Sequence, residues 1–290
     1  MPRRSLARVA SGLVRIVRPL NSLMVGAATV VGMLIATGGR LELLRPNVAL
    51  LGFIAGFTLS AAAMVVNDYY DREVDLINDP ARPIPSGAIK PGEAVALAVL
   101  LAALGLAASA RVGLECLALA GLAAAVAAGY ATAFKAKGLL GNAMVSFCVA
   151  LPFIYGGLAV GSLDARLLVF ASIAFLANMG REVAKGIVDV AGDSAMGVRT
   201  VAAIYGRHAA ARLASTLFLA AVMLSAAPWL LGYVGFCYLP LVAICDAGLI
   251  RSSLSLLRSP SREVARRVKG EVLVWMLIGL AAFLSGSLLC

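Results

Sequence analysis

Nine apolar runs, each close to the length of a membrane crossing, constrain this chain more than any other feature. They cover residues 19–36, 47–66, 93–110, 112–133, 139–160, 165–182, 209–227, 229–249 and 272–289. A spanning helix needs roughly 20 mainly apolar residues. In hydrocarbon every backbone polar group must find its partner within the protein. The runs predict an all-α, polytopic membrane protein with nine transmembrane helices. Only 14% of the residues are charged, against about 25% in soluble domains. Alanine, leucine, valine and glycine dominate, as suits helices that pack closely in a bilayer. No Ser/Gly-rich linker divides the chain, so residues 1–290 read as one membrane domain. Residues 1–18 are basic and partly apolar, which predicts an interfacial amphipathic helix rather than a cleaved signal.

The connections sort by charge. The N-terminus and the loops after the second, fourth, sixth and eighth runs hold 21 of the 25 basic residues, Arg3, Arg4, Arg8, Arg15 and Arg18 among them. The other side keeps only Arg40, Arg45, Arg111 and Arg166. This bias puts the rich side in the cytoplasm and the C-terminus outside. The net charge of +10 therefore reports sidedness in a membrane, and nucleic acid is not an expected partner. Five cysteines sit in or at the ends of apolar runs without a CxxC pair, so they read as small buried hydrophobes rather than disulfides or metal ligands. His208 is the one histidine, which disfavours a histidine metal site.

Against this apolar background the acids cluster. Asp68, Asp71, Glu73, Asp75 and Asp79 follow the second run; Glu182, Asp189 and Asp193 follow the sixth. An acidic segment after each of these runs hints at two related four-helix units. On a helix, Asn67, Asp71 and Asp75 share one face, with Asp68 beside them, and Asp189 and Asp193 repeat the four-residue spacing. Like charges at that spacing repel, so something cationic must offset them. Oxygen ligands without histidine or cysteine point to a hard cation. Mg²⁺ takes one or two carboxylates and binds substrate phosphates. Arg72, Arg82, Lys135 and Lys185 share the same side and suit phosphate oxygens. Together the acids and bases match a metal-bound diphosphate. A merely solvated pair of loops would have to explain two clusters, both at helical spacing and both on one side. Glu73 points off the stripe and reads as solvent-facing; Glu182 and Asp79 stay open. The segment "NDPARPIPSGAIKPGE" carries Pro80, Pro83, Pro85 and Pro91, and reads equally as a stiffened lid or a helix stop.

At these residues the sequence resembles the UbiA family of intramembrane prenyltransferases. The pattern N-D-x-x-D-x-x-x-D is met by Asn67, Asp68, Asp71 and Asp75, and "NDPARPIPSG" continues it. "REVAKGIVDVAGDSAMGVRTVAAIYG", "YATAFKAKGLLGN" and "RPLNSLMVGA" match in order along nearly the whole chain. The resemblance implies a helical bundle around a central cavity beneath a cytoplasmic cap. It implies Mg²⁺-dependent transfer of an isoprenoid chain from an allylic diphosphate, geranylgeranyl diphosphate in the branch most similar here. That branch prenylates geranylgeranylglyceryl phosphate in archaeal ether-lipid synthesis; other branches use aromatic acceptors for quinones. Relatives often carry an acid after the lysine of the second motif, where this chain has Gly186.

The expected roles follow. Asn67, Asp68, Asp71 and Asp75 hold one metal, Asp189 and Asp193 a second, and Asp68, Asp71, Asp189 and Asp193 count as catalytic. Arg72, Arg82, Lys135 and Lys185 neutralise phosphate. Tyr130 either faces an allylic cation or anchors a helix at the interface, and Asn21 either lines the acceptor pocket or is an ordinary helix-end residue. The rival class is a secondary transporter, which would place ionisable groups near the midplane; Asp246 is the nearest to that position.

Overall fold

The computed structural model describes residues 5–195 and 197–288. Arg3, Arg4, Leu289 and Cys290 lie outside the described residues. Helix α1 spans Leu6–Val17, α2 Pro19–Ala36, α3 Pro46–Tyr70, α4 Arg72–Asn78, α5 Pro91–Val112 and α6 Leu114–Gly129. Then come α7 Leu139–Ala159, α8 Ala165–Ala195, α9 Val201–Ser225, α10 Ala227–Leu230, α11 Tyr238–Arg258 and α12 Arg262–Leu288. Among the described residues nine helices are long and apolar enough to cross a membrane. Prolines at the first turn open α2, α3 and α5, where the missing N–H costs nothing.

Several boundaries differ from the apolar runs, α9 among them with its start at Val201, and three of them have a plain local reason. Helix α8 continues well past residue 182 because no proline intervenes and Gly186 and Gly192 stay helical; the next glycine with positive φ is Gly197 (φ +68°). The second acid cluster therefore lies on the last turns of a long helix, not in a loop. Residues 229–237 are apolar yet do not begin the eighth span. A turn at Gly232 (φ +69°) ends the short α10, and α11 starts at Tyr238. Hydropathy registers the side chains there but not the turn. Helix α12 starts ten residues before the ninth run, at Arg262, because Glu, Arg and Lys extend a helix into water as well as leucine does in lipid.

Small residues let the spans touch. A Cβ on Gly156 of α7 would fall 2.4 Å from the Met33 nitrogen of α2, so these two backbones meet where only glycine fits. Cys116, Cys148 and Cys245 are free, as expected of buried hydrophobes. Cys237 departs from that expectation and is disulfide-bonded. It precedes α11 at the end of the bundle away from the acid clusters.

Over the other end sits a cap made of α1, α4 and the proline-rich segment 79–90. Arg18, the one non-glycine residue with positive φ among those described (φ +46°), turns the chain from α1 into α2. Arg8 donates to the Ser86 carbonyl at 2.5 Å and Arg15 to the Ala81 carbonyl at 2.9 Å. Ile16, Ile84 and Ile89 are buried together with Val65, Ala94 and Ala98, each isoleucine contributing about 1.5–3 kcal/mol. Thus α1 docks on the cap, and the proline segment is held by a small core of its own.

Helix α6 ends in a widened π turn, Tyr130–Phe134, followed by a tight turn at Lys135–Lys137. Gly138 closes it at φ +59°, and a Cβ there would lie 2.1 Å from the Arg199 carbonyl oxygen. Gly138→Ala is expected to destabilise the fold by about 1–3 kcal/mol and to pull Lys135 out of place. A lowered thermal midpoint in detergent checks this; an unchanged midpoint rejects the close packing of this turn on residue 199.

Candidate active site

The acid stripe forms where α3 leaves the bundle. Asp71 joins α3 to α4 with near-helical torsions. The Asp71 N–H donates to the Asn67 carbonyl at 2.9 Å, and the Asp75 N–H to the Asp71 carbonyl at 2.8 Å. The four-residue register survives the joint, so Asn67, Asp71 and Asp75 stay on one face. Asp68, Asp71 and Asp75 are only 3–5% exposed, which is costly for carboxylates without partners.

Basic side chains supply those partners. Arg18 meets Asp68 at 2.5 Å, and Arg82 bridges Asp75 at 2.7 Å and Asp68 at 3.3 Å. Lys135, carried in by the π turn, pairs with Asp71. Asn67 donates to the second Asp71 oxygen at 2.8 Å. Its own Oδ1 is buried with no hydrogen-bond partner. Burial pushes the Asp75 carboxyl up to about 6, with Arg82 pulling it back and Asp71 and Asp68 adding to the rise.

Helix α8 supplies the facing wall. Glu182 is held between Arg181 at 3.1 Å and Lys185 at 3.4 Å. Asp193 is buried and Asp189 half-buried. The Gly192 N–H donates to the Asn78 side chain at 3.2 Å and ties α8 to α4. Asp193 lies within electrostatic range of Asp189, Lys185, Lys135 and Asp71. The two clusters therefore share one site.

Below it lies a cavity of about 660 Å³, lined by residues from every one of the nine spans. Its walls are largely alanine, valine and leucine; Arg18, Asn21, Asn67, Tyr130, Arg181, Glu182 and Lys185 give it a polar head. Of the expected residues, Asn21, Asn67, Tyr130 and Lys185 line the cavity. Asp68, Asp71, Asp75, Arg82 and Lys135 form the ion-paired layer beside them. Arg72 is not gathered in: it donates to the Tyr69 carbonyl at 2.8 Å and lies 4.8 Å from that ring's centroid. Its nearest acid is Glu73, at 3.7 Å.

Residues the sequence reading passed over also belong here. Arg18 counted only toward sidedness, although it stands one residue before the first span on the acid side. Asn178 and Arg181 join the already expected Lys185 and the open Glu182 at helical spacing on the cavity wall of α8, a stripe hidden by ending the sixth span at residue 182. Deeper in, Ser225 donates to Asp246 at 2.7 Å, and both line the cavity.

Among the described residues no three His, Cys, Asp or Glu side chains form a ready metal cage. Such a site would need ligands from a substrate as well as from the chain. A helical membrane bundle with an ion-paired carboxylate head over an apolar chamber defines a class of protein, one that holds a long amphiphile by its charged end. The UbiA prenyltransferase family model matches residues 25–284. The digeranylgeranylglyceryl phosphate synthase of Methanothermobacter thermautotrophicus is 34% identical over 94% of this chain and 95% of its own. That of Methanopyrus kandleri is 37% identical over 93% and 97%. A solved structure of digeranylgeranylglyceryl phosphate synthase aligns with TM-score 0.73 and 31% identity over 97% of this chain and 99% of that one. A UbiA homolog from Archaeoglobus fulgidus bound to GPP and Mg²⁺, 18% identical over 94% of this chain and 99% of its own, shares the fold at TM-score 0.65. The chain belongs to the UbiA prenyltransferase family. It is a multi-pass membrane prenyltransferase, and the transporter reading is set aside.

Proposed function

We propose that this chain transfers a geranylgeranyl group from geranylgeranyl diphosphate to geranylgeranylglyceryl phosphate, with Mg²⁺ as its metal. The observation that carries the reading is the buried Asn67–Asp75 stripe at the head of an apolar cavity, with Lys185 and Asp193 in electrostatic range of Asp71. The acceptor follows the names of the relatives, which match along nearly their whole lengths.

The residues fit a hard cation. The donors are carboxylate and amide oxygens, and the buried Asn67 Oδ1 has no partner within the protein. Asn67, Asp68, Asp71 and Asp75 would hold one ion, and Asp189 and Asp193 a second. Glu182 is already taken up by Arg181 and Lys185. A Cβ on Gly186 would meet the Thr200 Cβ at 3.5 Å, so that position faces the start of α9. Bound Mg²⁺ would neutralise the diphosphate and make it a better leaving group.

The chain's own groups do the rest. Lys135, Lys185 and Arg82 stand at the head of the cavity, where they stabilise charge gathering on the departing diphosphate. Arg72 can join them by leaving Tyr69. The apolar walls keep water from the allylic cation, and the ring of Tyr130, which lines the cavity, would face it. Asn21 borders the acceptor. The acceptor hydroxyl attacks C1, and the released diphosphate takes its proton. The site faces the cytoplasm on this reading, consistent with the basic residues around it and with a disulfide at Cys237 on the opposite side, where oxidising conditions let one persist.

An acceptor panel tests the reading. Purified protein with labelled geranylgeranyl diphosphate and Mg²⁺ is expected to prenylate geranylgeranylglyceryl phosphate and to leave 4-hydroxybenzoate unchanged. The reverse preference would replace the acceptor assignment with the aromatic one.

A further inference from the structure

We propose that Lys269 binds the phosphate of the acceptor, in a subsite separate from the cations that meet the departing diphosphate. Helix α12 packs against α2, α8 and α11 and shows Leu273, Met276, Leu280 and Phe283 to the cavity. These recur every three or four residues and so form one stripe along the helix. Lys269 stands one turn before Leu273 on that stripe, just beyond the residues that line the cavity. Its place against α8 is fixed, since Arg181 Nε donates to the Lys269 carbonyl at 3.3 Å.

Its ammonium differs from its neighbours. Arg181 and Lys185 are both committed to Glu182. Arg82 and Lys135 are committed to the acid stripe. Lys269 is half-buried, yet among the described residues its ammonium makes no ion pair or hydrogen bond. It also lies within electrostatic range of Asp189 and of three cations, Lys185, Arg181 and Arg82. A partly desolvated cation among other cations is unfavourable until an anion joins it.

The chemistry requires such an anion. This inference rests on the acceptor reading above: that acceptor carries a phosphomonoester close to the hydroxyl that reacts. Its phosphate must be held near the departing diphosphate without competing for the same ligands. The stripe on α3 and α4 serves the diphosphate. Lys269, arriving on α12 beside Arg181, offers the second anion a point charge with rotatable donors.

The test separates the two phosphoryl groups. Lys269→Met is expected to raise KM for geranylgeranylglyceryl phosphate about 10-fold to 100-fold, the effect of losing one charged hydrogen bond. KM for geranylgeranyl diphosphate should stay unchanged, and Lys269→Arg should restore most of the loss. A raised KM for the diphosphate instead, or an unchanged KM for the acceptor, would overturn the assignment. Acetylation of lysines in the unaltered protein, read by mass spectrometry, needs no variant that folds. Lys269 should be protected by the phosphorylated acceptor and not by geranylgeranyl diphosphate; equal labelling with and without acceptor overturns the proposal. Failure of the acceptor reading itself would appear earlier, as unaltered protein that ignores the phosphorylated acceptor and prenylates another member of the panel.

Discussion

Asp71→Asn is expected to lower prenyl transfer by about 100-fold to 1,000-fold, the usual cost of removing one preorganised electrostatic group from a site, while leaving the bundle folded. Asp71 is the centre of the stripe: one carboxylate oxygen takes Lys135 and the other takes the Asn67 amide. Asparagine fills the same space; its one oxygen still accepts from Lys135, and its amide nitrogen can donate to Asn67 Oδ1 once the Asn67 amide turns over. It removes a charge that repels Asp68 and Asp75, which offsets part of the cost of leaving Lys135, a partly exposed ammonium, without its ion-pair partner. What it removes is one of the three carboxylates, Asp68, Asp71 and Asp75, that would hold a diphosphate-bound cation. Asp189→Asn should act alike from the facing wall. EDTA should do to the unaltered protein what both substitutions do, with recovery on adding Mg²⁺. Turnover is read with labelled geranylgeranyl diphosphate beside a thermal melt. Near-normal rates in either variant would sink the two-sided site, and full activity in EDTA would remove the metal from it.

That prediction uses residues legible in the sequence alone, and the reason is physical. Asn67, Asp71 and Asp75 belong to a single helical register, and a four-residue period is a one-dimensional signal. So is the length of an apolar run, which placed α2 and α7 within a residue of their observed bounds. Contacts across helices leave no such trace. Nothing in the spacing says that Arg18 reaches Asp68, fifty residues on, or that a π turn aims Lys135 at Asp71. Arg72 misled for the same reason: next to the acids in sequence, it projects from another face of the helix and settles on Tyr69. Lys269 lay more than seventy residues from either acid cluster, and only the packing of α12 on α8 brings it to them.

Arg82→Met tests the ion-paired layer itself and carries the largest expected effect on stability. Arg82 is the basic side chain paired with Asp75 and the second one on Asp68. Removing one partner of a buried pair costs about 3–5 kcal/mol, because the other charge is left behind. The cost here should fall at the low end. Asp68 keeps Arg18, and Asp75, already pushed up to about 6 by burial, can escape by taking a proton. The thermal midpoint of the metal-free protein in detergent should drop accordingly. Arg72→Met, which removes a half-exposed guanidinium from a surface contact, should barely move it. The deciding variant is the double one. Asp75→Asn placed in the Arg82→Met background removes the orphaned charge and should recover much of the lost stability, although it adds no contact. A double mutant no more stable than Arg82→Met would mean that the loss came from the packing of the arginine stem against the cap. Recovery would mean that the site is held together, before any substrate arrives, by cations standing against carboxylates, and that those cations become available to phosphate once the carboxylates turn to a metal.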